Sequence, residues 1–175
     1  MKLKEKLFKK QCVYKGKAVD MHNDIVILPN NEKATREYLG HPGAVAVVPF
    51  INKTDIAFVR QFRYPVNEIT YEIPAGKLDK NEKPLKCVNR ELQEETGFKA
   101  KKIEKLLSFW PTPAFSNEVL HIYKAFDLVK GKTNPDEDEF INTIIIPYKK
   151  AIEMIKNGKI KDSKTIIALT YLSVL

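Results

Sequence analysis

Gly76-Lys77-Leu78-Asp79-Lys80-Asn81-Glu82-Lys83-Pro84-Leu85-Lys86-Cys87-Val88-Asn89-Arg90-Glu91-Leu92-Gln93-Glu94-Glu95-Thr96-Gly97-Phe98 is the stretch on which the reading of this chain turns. Pro84 suits the first turn of a helix, where its missing N–H is no loss. Gly97 suits the position just past a helix end, where a left-handed residue is needed. The segment 84–96 is therefore expected to be one helix. Leu85, Val88 and Leu92 recur at helical spacing and predict a buried stripe. Glu91, Glu94 and Glu95 then cluster on a neighbouring face, because residues three and four apart meet on a helix. Like charges at that spacing cost roughly 0.2–0.5 kcal/mol per pair. A hard divalent cation with oxygen ligands would offset the repulsion. Charged strings of this kind, taken alone, are commonly solvated helix faces. The full spacing from Gly76 to Phe98 argues otherwise: fixed residues at so many positions coincide on the order of once in 10⁹ starting positions at ordinary residue frequencies.

Outward from this segment the chain reads as alternating short strands and turns with two later helices. Asp24–Leu28, a turn at 29–31 and a return over 34–39 predict an N-terminal antiparallel β unit. His41-Pro42-Gly43 breaks the pattern. A valine-rich run over 44–50 predicts a buried strand. Strands are expected over 56–62, 68–73, 103–110, 118–128 and 140–146, and helices over 148–157 and 162–173. Asp162 or Ser163 is the expected cap of the last helix. Strands and helices mixed in this way make an α+β fold. Two regions follow: an N-terminal β subdomain, 1–42, and a main domain, 43–175.

The chain of 175 residues with 43% hydrophobic and 30% charged residues has the composition of a globular domain. No apolar run is long enough to span a bilayer, and the first residues lack the apolar core of a secretory signal. A cytoplasmic location is expected. The net charge of +8 is spread along the whole chain. No basic block alternates with aromatics, so no nucleic-acid partner is expected; the charge instead favours anionic substrates. Cys12 and Cys87 form no metal-type pair and no disulfide framework. His22, His41 and His121 show no ligand spacing, and His121 reads as structural. Trp110 reads as either core or a stacking partner for a base, and Tyr148 reads as core.

The pattern G-x5-E-x7-R-E-U-x-E-E-x-G-U, with U bulky and apolar, resembles the box of the Nudix hydrolases. The flanks Ala57–Pro65, Tyr71–Gly76, Pro111–Glu118 and the acidic run Asp136–Glu139 resemble the ADP-ribose pyrophosphatase branch, with Ala114 departing from a frequent glycine. The resemblance implies a mixed sheet sandwiched between helices. It implies Mg²⁺ as the cofactor, with Mn²⁺ as a substitute, held by Glu91, Glu95, Glu94 and the carbonyl of Ala75. It places Glu82 and Arg90 as supports of the loop and the glutamates, and Glu139 or Glu137 as the catalytic base. It puts Arg63 on the substrate phosphates and Glu72 near the terminal ribose, with Arg36 and Pro113 also among the substrate contacts. The implied reaction is ADP-ribose plus water giving AMP and ribose 5-phosphate, with water activated on metal and a carboxylate taking its proton. The N-terminal strands imply a homodimer. Arg63 also reads as a structural salt-bridge partner and Glu72 as a strand-end charge. Other nucleotide conjugates, such as GDP-mannose, NADH or diadenosine polyphosphates, stand as alternative substrates, and a non-catalytic ADP-ribose-binding module as the reading from another class.

Overall fold

The computed structural model describes residues 2–133 and 140–175. The chain folds as two compact units, Met1–Gly43 with Trp110–Val119 and Ala44–Phe109 with Leu120–Leu175.

The first unit is a four-stranded antiparallel sheet built on β3 (Asp20–Ile27). β1 (Lys6–Lys9) and β2 (Cys12–Lys15) follow one another along one edge of β3, and β4 (Lys33–Gly40) pairs with the other edge. β3 alternates in burial, with His22, Asp24 and Val26 on the covered face. β1 lies outside the strands expected from sequence; all four of its residues are exposed, so no apolar alternation marks it. A bridge from Leu39 to Ser116 joins the segment 110–119 to this unit. Trp110, in that segment, is 64% exposed and so is not a core residue.

The second unit carries two sheets. One has the order β8-β5-β10-β9, formed by β5 (Ala44–Pro49), β8 (Ala75–Lys77), β9 (Phe98–Phe109) and β10 (Leu120–Lys130). β5 and β10 run parallel and the other pairs antiparallel. The other sheet is antiparallel, β11-β6-β7, from β6 (Asp55–Arg63), β7 (Glu68–Glu72) and β11 (Asn142–Pro147). β9 starts directly after the box helix, earlier than the residue 103 expected, because pairing with β10 extends it through a lysine-rich stretch that periodicity reads as polar.

β5 is buried at every residue, and its period of two separates the core. Val45 and Val47 pack with Cys87, Val88 and Leu92 of α1 (Pro84–Thr96). Ala44, Ala46 and Val48 pack with residues of α2 (Tyr148–Lys156) and α3 (Ser163–Leu172), among them Ala151, Met154, Ala168 and Leu169. Fully burying a Val or Leu side chain contributes about 1.5–3 kcal/mol, so one strand ties helices to both sides of the sheet. The expected α1 stripe needs one correction: Leu85 is 54% exposed, and Cys87 takes its place beside Val88 and Leu92. Leu85 stands in the first turn, before α1 settles on β5. Asp162, rather than Ser163, caps α3 by accepting from Thr165 N at 2.9 Å. Tyr148 packs against the core and its hydroxyl donates to Leu169 O at 2.7 Å. Among the described residues no helix is long and apolar enough to cross a membrane.

Candidate active site

The box folds as strand, loop and helix. β8 pairs with β5 through Ala46↔Ala75 and Val45↔Gly76, which lays the backbone of residues 75–76 along the C-terminal half of α1. Gly97 ends the helix at φ 73°, its N–H donating to Gln93 O at 2.8 Å. Glu91, Glu94 and Glu95 therefore stand in the last two turns, at the negative end of the helix dipole. Carboxylates there are unfavourable by roughly 0.3–1 kcal/mol each, a placement that stability alone does not explain.

Two backbone features receive these carboxylates. Ala75 N donates to Glu95 Oε2 at 3.0 Å, and Glu95 is 6% exposed. Gly76 is a glycine for steric reasons: a Cβ there would lie 1.9 Å from Glu91 Oε1 and 2.0 Å from its carboxyl carbon. The Glu91 carboxylate thus occupies the space that any other residue would fill. Thr143 of β11 also donates to Glu95 O at 3.0 Å, a contact unmarked by any sequence signal, since it joins residues 48 apart.

Arg90 is the hub of the loop. Its Nη1 donates to Glu91 Oε1 at 2.7 Å and to Glu94 Oε2 at 2.9 Å. Its Nε and Nη2 donate to Glu82 Oε1 and Oε2 at 3.2 and 3.0 Å, and Nη2 also reaches Lys77 O at 3.2 Å. Arg90 thus bonds two of the three glutamates and offsets part of the repulsion that a divalent cation is expected to relieve. Hydrogen bonding from Arg90 holds the Glu82 carboxyl down at about 2. Burial pushes the Cys87 thiol up to about 12, so it stays protonated beside Arg90. The donors that could hold a metal, Glu91, Glu94, Glu95 and the adjoining carbonyls, are all oxygen, the set a hard divalent cation takes.

Arg63 and Glu72 come together at the end of the β6–β7 pair. Arg63 Nε and Nη2 donate to Glu72 Oε1 and Oε2 at 2.8 and 2.7 Å, a bidentate pair. Thr70 Oγ1 donates to Glu72 Oε1 at 2.6 Å, and Lys164 Nζ donates to Glu72 Oε2. Burial alone would raise the Glu72 carboxyl; Arg63 and Lys164 overcome it and bring it to about 2. These side chains line a cavity of about 580 Å³ together with Lys161 and Asp162, within the range of small-molecule sites. Lys161 and Lys164 were not singled out from sequence. Their only local signal is the Asp162 cap, which sets Lys164 in the first turn of α3.

The Glu72 and Glu82 carboxyls both titrate at about 2 in the fold, against 4.5 ordinarily. The unfolded chain therefore binds more protons in that interval, and stability rises with pH across it. The contribution is complete above pH 4.5 and is lost as the pH falls toward 2. Without added metal, the melting temperature should fall across this window, and less steeply in Glu82→Gln than in the parent.

The remaining sequence candidates belong to the first unit or lie outside the described residues. Arg36, in β4 of the first unit, donates through Nε to Glu5 Oε2 at 3.0 Å. Pro113 lies in the segment 110–119 of the same unit. Glu137 and Glu139 lie outside the described residues.

Residues 40–169 match the NUDIX domain family. The chain is 42% identical to the methanol dehydrogenase activator of Bacillus methanolicus, over 97% of this chain and 93% of that protein. It is 38% identical to the ADP-ribose pyrophosphatase of Bacillus subtilis, over 98% and 94%. It is 34% identical to the GDP-mannose pyrophosphatase of Yersinia enterocolitica, over 68% and 66%. The crystal structure of an ADP compounds hydrolase superposes with a TM-score of 0.86 at 19% identity, over 99% of this chain and 95% of the other, and shows a common fold. With the box helix, its glycine-backed glutamates and a family match that spans both sheets, this chain belongs to the Nudix family and is a Nudix hydrolase.

Proposed function

We propose that this chain hydrolyses the pyrophosphate of ADP-ribose to AMP and ribose 5-phosphate, with Mg²⁺ as cofactor and Mn²⁺ as substitute. The observation that carries the reading is the packing of Glu91 against Gly76 and of Glu95 on Ala75 N, which gathers oxygen donors beside β8. The near full-length likeness to an ADP-ribose pyrophosphatase supports the substrate. Glu91, Glu95 and the Ala75 carbonyl would hold the metal, with Glu94 contributing. The bound ion would neutralise pyrophosphate oxygens and lower the pKa of a coordinated water. Arg90 positions Glu91 and Glu94. Arg63, held by Glu72, presents a guanidinium to phosphate, and Glu72 borders the ribose. Arg36 and Pro113 complete the substrate contacts by resemblance. Glu139, or else Glu137, accepts the proton from water.

The test is a substrate panel with Mg²⁺, products being resolved by chromatography. The expected result is ADP-ribose as the preferred substrate, with AMP and ribose 5-phosphate as products. Preference for GDP-mannose, NADH or a diadenosine polyphosphate would reject the substrate and keep the hydrolase. Binding of ADP-ribose without turnover in Mg²⁺ or Mn²⁺ would favour a binding module.

The 42% identical relative carries a second reading, in which the chain stimulates a methanol dehydrogenase. The dehydrogenase assayed with and without the chain decides it: an unchanged rate rejects it.

We also infer a cytoplasmic homodimer formed through the subdomain 1–42. Exposed apolar residues on the N-terminal strands, Leu7, Phe8, Val13 and Tyr14, support the dimer, since a second copy would take them out of water. Light scattering at micromolar concentration should give twice the 20.1 kDa chain mass; a monomeric mass rejects it.

A further inference from the structure

The first unit contains a group of side chains that the hydrolase reading leaves unused. Asp20 and His22 stand two residues apart on β3 and so share a face. The register Cys12↔His22 brings the β2 cysteine opposite the histidine. One ligand atom from each of Cys12, Asp20 and His22 lies within 4.8 Å of the others. In sequence these residues show no ligand spacing, because strand pairing rather than a short motif assembles them.

A second observation points to a ligand. His22 is only 9% exposed, and its Nδ1 is buried without a hydrogen-bond partner. A buried polar atom left without a partner forfeits the hydration it had in the unfolded chain. The ring is also held in place. It stacks on Tyr38 with centroids 4.8 Å apart and planes at 10°. Gly40, paired with Asp20 on the neighbouring strand, lies under the ring: a Cβ there would come within 2.7 Å of Nε2 and 2.9 Å of Cδ2. Cys12 is exposed, with Sγ 3.3 Å from Tyr14 O, so its side chain has room to adjust.

We propose that Cys12, His22 and Asp20 form a site for a thiophilic divalent transition-metal ion of the zinc class. The Cys12 thiolate, one imidazole nitrogen of His22 and a carboxylate oxygen of Asp20 are the protein ligands, and water takes the fourth position. On binding, the Cys12 thiol releases its proton to solvent and the thiolate pair forms the bond to the metal. Tetrahedral zinc with sulfur at about 2.3 Å and nitrogen or oxygen at about 2.0 Å sets ligand atoms roughly 3.3–3.6 Å apart. The ligand atoms, within 4.8 Å of one another, stand somewhat wider than this, and the exposed Cys12 side chain has room to close toward the others. The ligand type separates this site from the box, since thiolate and imidazole select zinc-like ions and carboxylates select magnesium-like ones. A bound ion would fasten β2 to β3 at their bulged register.

Chelator-treated full-length protein titrated with Co²⁺ tests this by absorption. Expected are visible bands of a tetrahedral ion and a sulfur-to-cobalt charge-transfer band, saturating at one ion per chain and displaced by Zn²⁺. Cys12→Ser should abolish the charge-transfer band, while Glu95→Gln should retain it. Asp20→Asn, which leaves the buried His22 in place, should weaken binding at least tenfold. Zn²⁺ should slow alkylation of Cys12, located by peptide mass spectrometry. Hydrolysis by Cys12→Ser with Mg²⁺ should equal that of the parent. Absence of the charge-transfer band, its persistence in Cys12→Ser, or alkylation of Cys12 at the same rate with and without Zn²⁺ would overturn the site.

Discussion

Glu95→Gln should lower kcat on the order of 10³-fold while leaving the fold intact, because removing a charged ligand from a metal that stabilises transition-state charge forfeits several kcal/mol and each 1.36 kcal/mol is tenfold in rate. Glu95 is 6% exposed, and its Oε2 accepts from Ala75 N at 3.0 Å. A glutamine can offer its amide oxygen to the same N–H at nearly unchanged volume, so the melting temperature should move little. The measurements are kcat over a Mg²⁺ titration, with the melting curve as control. Near-parental turnover at saturating Mg²⁺ would move the metal site off Glu95.

Gly76→Ala should impair activity by a comparable factor for a different reason. The added methyl would come within 1.9 Å of Glu91 Oε1, so the carboxylate must leave its place and its bond to Arg90 must change. The effect should depend on Glu91. In a double-mutant cycle, Gly76→Ala should destabilise the parent by roughly 1–3 kcal/mol, the range for overpacking, and Glu91→Ala by much less. A coupling of that size is expected of residues in direct contact. Equal costs in both backgrounds would show that position 76 acts through the β5–β8 pairing instead.

The legible part of this site lies within α1. Glycine and proline at the ends and glutamates three and four apart are local signals, and the helix forms where they place it. The strand pattern was legible where apolar residues alternate or run together, as in β5 and β6. It was not legible in β1, whose four residues are all exposed, or in β8, whose three residues Ala75-Gly76-Lys77 take their conformation from pairing with β5. Leu85 shows the limit of periodicity: its spacing marks the buried stripe, yet it stays exposed in the first turn of α1.

The substrate-side candidates teach the same lesson through distance along the chain. Arg63 and Glu72 are both visible in sequence, but their bidentate pairing follows from the hairpin register. Lys164, 92 residues from Glu72, joins them only because α3 begins there. Cys12, Asp20 and His22 meet across strands in the same manner.

By itself, then, the sequence determined the family, the box helix and the face on which its three glutamates stand, because helix periodicity and terminal residues act over a few positions of chain. Only the tertiary structure decided what those carboxylates touch. The Gly76 cradle, the Arg90 hub, the Lys164 contact and the cysteine–histidine cluster depend on strand register and helix docking, which are set by packing between segments that no local pattern connects.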